Sequence, residues 1–126
     1  MIAIPLDKKE STTISELYGN TPYFAFLDEE TGIFKVVENQ GCGDGMNTAA
    51  FVSNKNINST IFYYMGEKVY DYLQDKGLKV YSCLKTHCSI DEIYMQLLAN
   101  KAKVVTKENS STLLDSGNGG CTFKAK

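Results

Sequence analysis

The stretch IFYYMGEKVYDYLQDKGLKVYS, residues 61–82, decides the fold class of this chain. Its first five residues, 61–65, form a continuous apolar run, which is typical of a strand buried on both faces. Apolar residues then recur at helical spacing within 67–76, and Gly77 stands where a helix C-cap glycine belongs. A second short strand is expected at 78–82. A strand, a helix and a strand over this length predict a βαβ unit, whose two strands lie parallel with a right-handed crossover.

The sequence on both sides of this unit predicts the rest of an α/β domain. Short apolar or aromatic strands are expected at 2–6, 23–28 and 33–38, and the acidic turn between the last two predicts a β-hairpin. Further along the chain, Ser89 and Glu92 have the spacing of a capping box. A helix should therefore begin there and dock on the sheet.

Composition and charge disfavour several classes of protein. The 126 residues carry 13 basic side chains, all lysine, and 15 acidic ones, and this net charge of −2 argues against nucleic-acid binding by phosphate neutralisation. No apolar stretch approaches the roughly 20 residues that span a bilayer, so we expect no membrane contact and a cytoplasmic location. In such a compartment, four cysteines are expected to be reduced thiols or metal ligands rather than a disulfide framework.

Five consecutive residues form the most suggestive segment for a ligand site: Gly41, Cys42, Gly43, Asp44 and Gly45. Glycines at alternating positions let the backbone approach a ligand closely, because no Cβ intervenes. A helix is expected at 46–54, with Asn47 or Thr48 as its N-cap, and its first N–H groups could point at an anion. A thiolate in the same loop favours a metal or a metal–sulfur species. We therefore expect the three glycines to line a cofactor site and Cys42 to be its chief thiolate; a partly exposed loop cysteine is the structural alternative.

A second cluster, CLKTHC at 83–88, occupies the loop between the last predicted strand and the last predicted helix. Such loops gather at the carboxyl ends of parallel strands, where ligand sites of α/β proteins form, so this loop is expected to face Cys42. His87 and Cys88 offer nitrogen and sulfur donors that suit zinc or iron, although their spacing matches no established zinc pattern. Both are candidate cofactor and metal ligands, with a solvated histidine as the alternative. Cys83 ends a strand, where we expect a core position rather than a ligand role.

The last part of the chain, residues 107–126, is rich in Gly, Ser and Asn and is predicted to be a flexible tail. It carries Cys121 behind a glycine-rich run. A thiol on such a tether could close over a bound cluster as an additional metal ligand. The alternative is an incidental cysteine at a disordered end.

Five segments together resemble one known family: MIAIP at 1–5, ELYGN at 16–20, PYF at 22–24, VEN at 37–39 and GLKVY at 77–81. They resemble the dinitrogenase iron-molybdenum cofactor biosynthesis family, with its NifX-like and NifB C-terminal-like domains, over residues 1–106. The resemblance implies a ribonuclease H-like three-layer α/β domain, in which helices flank a mixed five-stranded sheet of order 3-2-1-4-5. It also implies that the domain binds or carries iron–sulfur or iron–molybdenum cofactors or their precursors, without known catalysis. A protein that delivers or receives the cofactor is then the expected partner.

One segment departs from the family pattern. Where the family usually has His-Phe-Gly-Arg, this chain has Leu17, Tyr18, Gly19 and Asn20. An imidazole and a guanidinium that could hold an anionic cofactor are therefore missing. The departure makes Cys42 the residue on which a metal-cluster site depends, and it leaves the identity of the cluster open.

The predicted function is a non-catalytic binding or carrier protein for an iron–sulfur or iron–molybdenum-type cluster. A regulatory or protein-interaction domain with structural or redox-sensing cysteines is a second hypothesis. A metal-dependent hydrolase on the ribonuclease H-like fold is a third, which requires several converging carboxylates; only Asp7 and Asp28 are strand-end candidates. No nucleophile–base order, P-loop or complete G-x-G-x-x-G fingerprint in the sequence favours an enzyme.

Overall fold

The computed structural model describes residues 1–114, which form a mixed sheet flanked by helices. The strands are β1 (Ile2–Leu6), β2 (Tyr23–Leu27), β3 (Phe34–Glu38), β4 (Ser59–Phe62), β5 (Lys79–Ser82) and β6 (Lys103–Val104). The helices are α1 (Gly45–Ser53), α2 (Glu67–Asp75), α3 (Ile90–Leu98) and α4 (Ser110–Leu113). The strand order is β3-β2-β1-β4-β5-β6. The fold is therefore α/β, as predicted.

The predicted βαβ unit is confirmed. β4 and β5 pair in parallel, with Phe62 opposite Ser82, and α2 connects them. β1 also lies parallel to β4, so three adjacent strands run in the same direction. β4 ends at Phe62, short of the predicted end at residue 65, because the chain turns there to place Gly66 as the N-cap of α2.

The strand number was wrong, although the β-hairpin is confirmed. β2 and β3 pair antiparallel, with Tyr23 opposite Glu38. The sheet has six strands rather than five, because β6 pairs antiparallel with β5. A strand of two residues has no readable alternation, so periodicity could not reveal it. The first five strands have the expected order 3-2-1-4-5; the ribonuclease H-like class stays a prediction.

Apolar side chains build a core on each face of the sheet. On the face covered by α1 and α2, Phe24 packs in one cluster with Val52 and Leu73. On the opposite face, Ile61 and Ile93 belong to a second cluster beneath α3. All five side chains are fully buried, and burying a side chain of this kind contributes about 1.5–3 kcal/mol of transfer free energy. The sheet is therefore stabilised from both sides, which fixes the strand ends from which the loops leave.

The chain beyond residue 106 still contributes to the core. Residues Ser110–Leu113 form α4, and the buried Leu114 belongs to the cluster on the α1/α2 face. The predicted division of the chain at 106 stays a prediction. Residues 115–126, which include Cys121, lie outside the described part of the chain. In residues 1–114, no helix has the length and apolar character needed to cross a membrane.

Candidate functional site

The carboxyl ends of several strands lie together at one edge of the sheet. Leu6 at the end of β1 lies opposite Tyr23 at the start of β2, which lies opposite Glu38 at the end of β3. Because β4 and β5 are parallel to β1, Phe62 and Ser82 reach the same edge. The loops that leave these strands gather where α/β proteins commonly bind ligands. We call this the loop edge; its loops comprise residues 7–22, 39–44, 63–66 and 83–89.

Asn39 anchors the glycine loop, residues 41–45, to the rest of the protein. Its side chain is buried, and its Nδ2 donates to the carbonyl oxygen of Thr21 at 2.8 Å and to Oγ1 of Thr48 at 2.9 Å. Its Oδ1 accepts from the N–H of Gly41 at 2.9 Å. One amide thus connects the glycine loop to the start of β2 and to α1.

The three glycines of this loop are needed for different structural reasons. A Cβ on Gly41 would lie 2.5 Å from the backbone carbonyl of Asn47, and one on Gly45 would lie 3.0 Å from Cγ2 of Val69. Both glycines therefore allow the chain to pack closely against itself. Gly43 has a φ of +101° and no atom within 4 Å of the added Cβ. It is required for its backbone conformation, and it faces open space.

The N-cap of α1 is Asp44, and the prediction of Asn47 or Thr48 was wrong. Oδ1 of Asp44 accepts from the N–H of Met46 at 2.8 Å and of Asn47 at 3.2 Å. The helix begins earlier than predicted because Thr48 is turned inward, with its hydroxyl 3.0 Å from the carbonyl oxygen of Gly41. A carboxylate therefore already satisfies the first N–H groups of α1, where the sequence predicted a place for an external anion.

Backbone N–H groups of the glycine loop also donate hydrogen bonds to carbonyl oxygens of the protein. Cys42 donates to the carbonyl oxygen of Asn39 at 3.3 Å, and Gly43 donates to that of Gly19 at 3.1 Å. A ligand could use these N–H groups only if they changed partners. The loop therefore offers a ligand the Cys42 side chain and the open space beside Gly43 more readily than its backbone.

An aromatic and charged cluster surrounds the single histidine. Nε2 of His87 lies 2.7 Å from Oε2 of Glu16, and the His87 ring packs on Tyr63 with centroids 4.8 Å apart. Tyr63 contacts Tyr64 edge to face, and Nζ of Lys85 lies 5.2 Å from the Tyr64 ring centroid. His87 and Glu16 are each more than half exposed, so water screens this pair and it contributes little to stability. Its effect is to orient the imidazole at the loop edge.

The other two cysteines of the described chain are buried. Cys83 and Cys88 belong to the cluster beneath α3, and Nε2 of Gln96 lies 3.9 Å from the sulfur of Cys88. Burial raises the pKa of the Cys83 thiol, and the nearby Cys88 raises it further. Burial also raises the pKa of the Cys88 thiol, with a smaller contribution from Glu92. Both thiols therefore stay protonated near neutral pH.

Residues 16–20 connect the two loops that the sequence singled out. Glu16 contacts His87, and the carbonyl oxygen of Asn20 accepts from the sulfur of the exposed Cys42 at 3.3 Å. Both loops thus lie at the loop edge and contact one segment. Across residues 1–114, however, no three His, Cys, Asp or Glu side chains are grouped so that they could hold a metal ion. The ligand roles of the predicted site residues stay predictions.

Sequence reasoning missed three residues at this edge. Asn39 anchors the glycine loop, and Glu16 orients the imidazole. Both belong to the family-like segments VEN and ELYGN, and that signal could have identified them. Tyr64 is 42% exposed although the apolar run around it predicted a buried strand. Its exposure follows from the early end of β4, which periodicity does not reveal.

The two carboxylates considered for a hydrolase do not converge. Asp7 follows β1 and Asp28 follows β2, and these strands are antiparallel, so the two side chains lie at opposite edges of the sheet. Oδ1 of Asp7 accepts from the hydroxyl of Ser15 at 2.6 Å. This pair therefore provides no two-metal site.

One groove of the described chain lies mostly away from the loop edge. It encloses about 730 Å³ between β3 and α1, with Phe26, Val37 and Phe51 among its apolar lining residues and Lys55 among its charged ones. Neither a cysteine nor a histidine of residues 1–114 lines it. A smaller groove of about 510 Å³ lies at the loop edge and includes His87. The larger of these two grooves therefore lacks the cysteine and histidine side chains that bind soft metals, whereas the smaller one contains His87. The available ligands favour a site at the loop edge.

The fold and the loop edge define a single α/β domain whose candidate ligand groups are collected at the carboxyl ends of parallel strands. The profile of the dinitrogenase iron-molybdenum cofactor family matches residues 1–113. The chain belongs to this family, as the resemblance predicted. No curated protein matches the sequence.

Two solved structures show the same fold at low sequence identity. The apo form of the orange protein from Desulfovibrio gigas is 20% identical, with a TM-score of 0.72 over 83% of this chain and 92% of that one. A NifB-like protein from Thermotoga, assigned to the DUF35 family, is 24% identical, with a TM-score of 0.67 over 85% of this chain and 97% of that one. At these identities the likeness concerns the fold.

Proposed function

We propose that the protein is a non-catalytic carrier of an iron–sulfur or iron–molybdenum-type cofactor or its precursor, which it binds at the loop edge. Membership of the family supports this class of ligand. The observation that connects the proposal to one atom is the exposed sulfur of Cys42, since the other two cysteines of residues 1–114 are buried. Thiolates are the donors by which proteins hold iron–sulfur clusters.

The small number of accessible ligands favours a carried cluster over a resident one. Resident clusters are typically held by four cysteine thiolates, whereas the described residues expose only Cys42. A preassembled cluster that must leave again benefits from few protein bonds, because each bond has to be broken on transfer. We propose that His87, Cys88 and, from outside the described residues, Cys121 assist. A second protein in the cytoplasm would deliver or receive the cofactor.

The glycine loop supplies room for the cluster in this proposal. Gly43 leaves open space beside Cys42, while Gly41 and Gly45 hold the loop against α1 and α2. We also propose that the sheet is a variant of the ribonuclease H-like fold, because an antiparallel β1–β2–β3 meander joins the parallel strands β4 and β5.

Anaerobic reconstitution with iron and sulfide, followed by absorption spectroscopy, tests the proposal. We expect visible sulfur-to-iron bands in the wild type and their loss in Cys42→Ser. The matched control is Cys83→Ser, which removes a buried thiol at the same edge and should keep the bands. A wild-type protein that gains no cluster, or a Cys42→Ser spectrum equal to that of the wild type, overturns the assignment.

A further inference from the structure

The groove between β3 and α1, which we call the β3–α1 groove, has the dimensions of a site for a small molecule. It encloses about 730 Å³, within the roughly 300–1,000 Å³ of typical ligand pockets. Two of its large apolar lining side chains are exposed: Ile33 is 71% exposed and Phe34 is 39% exposed. Neighbouring exposed apolar side chains of this kind commonly mark a binding site. The groove therefore offers apolar surface that a ligand could cover.

The floor of the β3–α1 groove is aromatic and held in place by the core. The ring centroid of Phe51 lies 6.4 Å from those of Phe24 and Phe26, with tilts of 31° and 33°. Phe24 and Phe26 are buried, whereas Phe51 is only half-buried and lines the groove together with Val37. Because the core already orders these side chains, a ligand would lose little affinity in immobilising them.

Two ammonium groups stand beside this aromatic floor. Lys35 pairs with Phe26 across β3 and β2, so both side chains project from the same face of the sheet. Nζ of Lys55 lies 5.2 Å from the ring centroid of Phe51. Within residues 1–114, neither lysine forms an ion pair with a carboxylate. Their charges are therefore available to an anionic group at the rim of the groove.

The carboxylates that line the groove do not cancel this positive charge. Val36 belongs to the cluster beneath α3, and Glu38, two residues further along β3, projects from that same opposite face. The carboxylate of Asp28 accepts from the N–H of Glu30 at 2.9 Å in the turn after β2. Among the charged lining side chains, two lysines and one aspartate thus remain on the side of the groove. An apolar floor with a net positive rim is complementary to an apolar anion.

We propose that the β3–α1 groove binds a small amphiphilic carboxylate, a molecule with a hydrocarbon chain or ring and a single carboxylate group. The apolar part lies on Val37 and Phe51, and the carboxylate contacts Lys35 and Lys55. Lysine ammonium groups act as point charges, so they suit a single carboxylate without the fixed fork of an arginine. The site is independent of the cofactor proposed above, because Cys42 does not line this groove.

Titration of the full chain with decanoate, below its micelle-forming concentration and followed by two-dimensional ¹H–¹⁵N NMR, tests this site. We expect amide shifts at residues 33–37 and 51–56 and none in the glycine loop. Decyltrimethylammonium is the matched ligand, with the same hydrocarbon chain and the opposite charge, and it should bind more weakly. An exposed ion pair contributes up to about 5-fold in affinity. The double variant Lys35→Gln/Lys55→Gln should therefore bind decanoate about 5-fold more weakly, without weaker binding of decyltrimethylammonium.

Lys76→Gln is the matched control variant, because Nζ of Lys76 also lies over an aromatic ring, 5.4 Å from the centroid of Tyr72 on α2, outside the groove. It should bind decanoate as the wild type does. Three results overturn the proposal: no shifts at residues 33–37, equal affinity for the two ligands, or unchanged decanoate affinity in the double variant. A dimer in sedimentation equilibrium, with residues 33–37 at its interface, also contradicts it, because a second copy then covers the groove. Cys42→Ser should keep decanoate binding, which separates this test from that of the carried cluster.

Discussion

Replacement of Asn39 by Asp tests the anchoring of the glycine loop with almost no change in side-chain volume. The amide of Asn39 donates to Thr21 and Thr48 and accepts from Gly41, and it is 3% exposed. A carboxylate keeps the bond from Gly41 but loses both donated bonds. It also turns an oxygen toward the carbonyl of the fully buried Thr21. The variant therefore removes donors and adds a buried negative charge at one point.

The magnitude follows from these contacts. Leaving a buried acceptor unpaired costs about 1–3 kcal/mol, and two lost bonds plus a desolvated carboxylate predict a loss of about 4 kcal/mol or more at pH 8. Burial raises the pKa of the carboxyl that Asn39→Asp introduces above its value of about 3.9 in the unfolded chain. Below that unfolded value the acid is protonated in both states and donates one bond again. The deficit should therefore grow as the pH rises, by about 1.4 kcal/mol per unit, up to the folded pKa.

Urea denaturation of the wild type and Asn39→Asp at pH 4, 6 and 8 measures this deficit. Asn47→Asp is the matched control, because it makes the same change at an exposed position in the first turn of α1 and should alter stability by less than about 0.5 kcal/mol. A deficit of Asn39→Asp below about 1 kcal/mol at pH 8, or one that does not grow between pH 4 and 8, contradicts the hydrogen-bond assignment.

Three further predictions use the same edge of the molecule. In urea denaturation, Gly41→Ala should cost about 3 kcal/mol or more, because its Cβ meets backbone at 2.5 Å, while Gly43→Ala should cost about 1–2 kcal/mol for its φ alone; equal costs contradict the packing role. Tyr18→Phe removes a 2.8 Å bond to Thr60 and should cost about 1 kcal/mol near neutrality. Burial raises the pKa of Tyr18, so its stabilisation falls above pH 10 as the unfolded phenol ionises, and alkaline denaturation should bring wild type and variant closer. Leu17→His/Asn20→Arg restores the family's imidazole and guanidinium, and it should increase the amount of cluster retained after gel filtration; unchanged retention contradicts a role for these positions.

The sequence predicted correctly those structural elements that depend on residues close together in the chain. The capping box between Ser89 and Glu92 is present with both of its bonds, because its two partners are three residues apart. The βαβ unit and the hairpin follow from runs of apolar residues that need no knowledge of distant contacts. These features position the loop edge, so its location could be predicted from the sequence.

The wrong predictions concern positions at which a contact with a residue distant in the sequence determines the local structure. Asp44, rather than Thr48, caps α1 because the Thr48 side chain turns inward to accept from Asn39 and to approach the carbonyl oxygens of Gly19 and Gly41. The alternating glycines resemble a ligand cradle in sequence, yet Gly41 packs against the backbone of α1. No local pattern distinguishes a glycine that admits a ligand from one that admits another part of the chain.

The segment from Leu17 to Asn20 shows that fold and ligand chemistry can change separately in this chain. Tyr18 is buried and bonds to Thr60, so this position serves the core. Leu17 and Asn20, at the positions where the resemblance to the family implies His and Arg, are both exposed at the loop edge. Substitutions there alter the charge that a ligand meets without disturbing the cluster behind Tyr18. A neutral Leu17 and Asn20 leave the loop edge less able to attract an anion, and the proposed binding of a cofactor would then depend more strongly on Cys42.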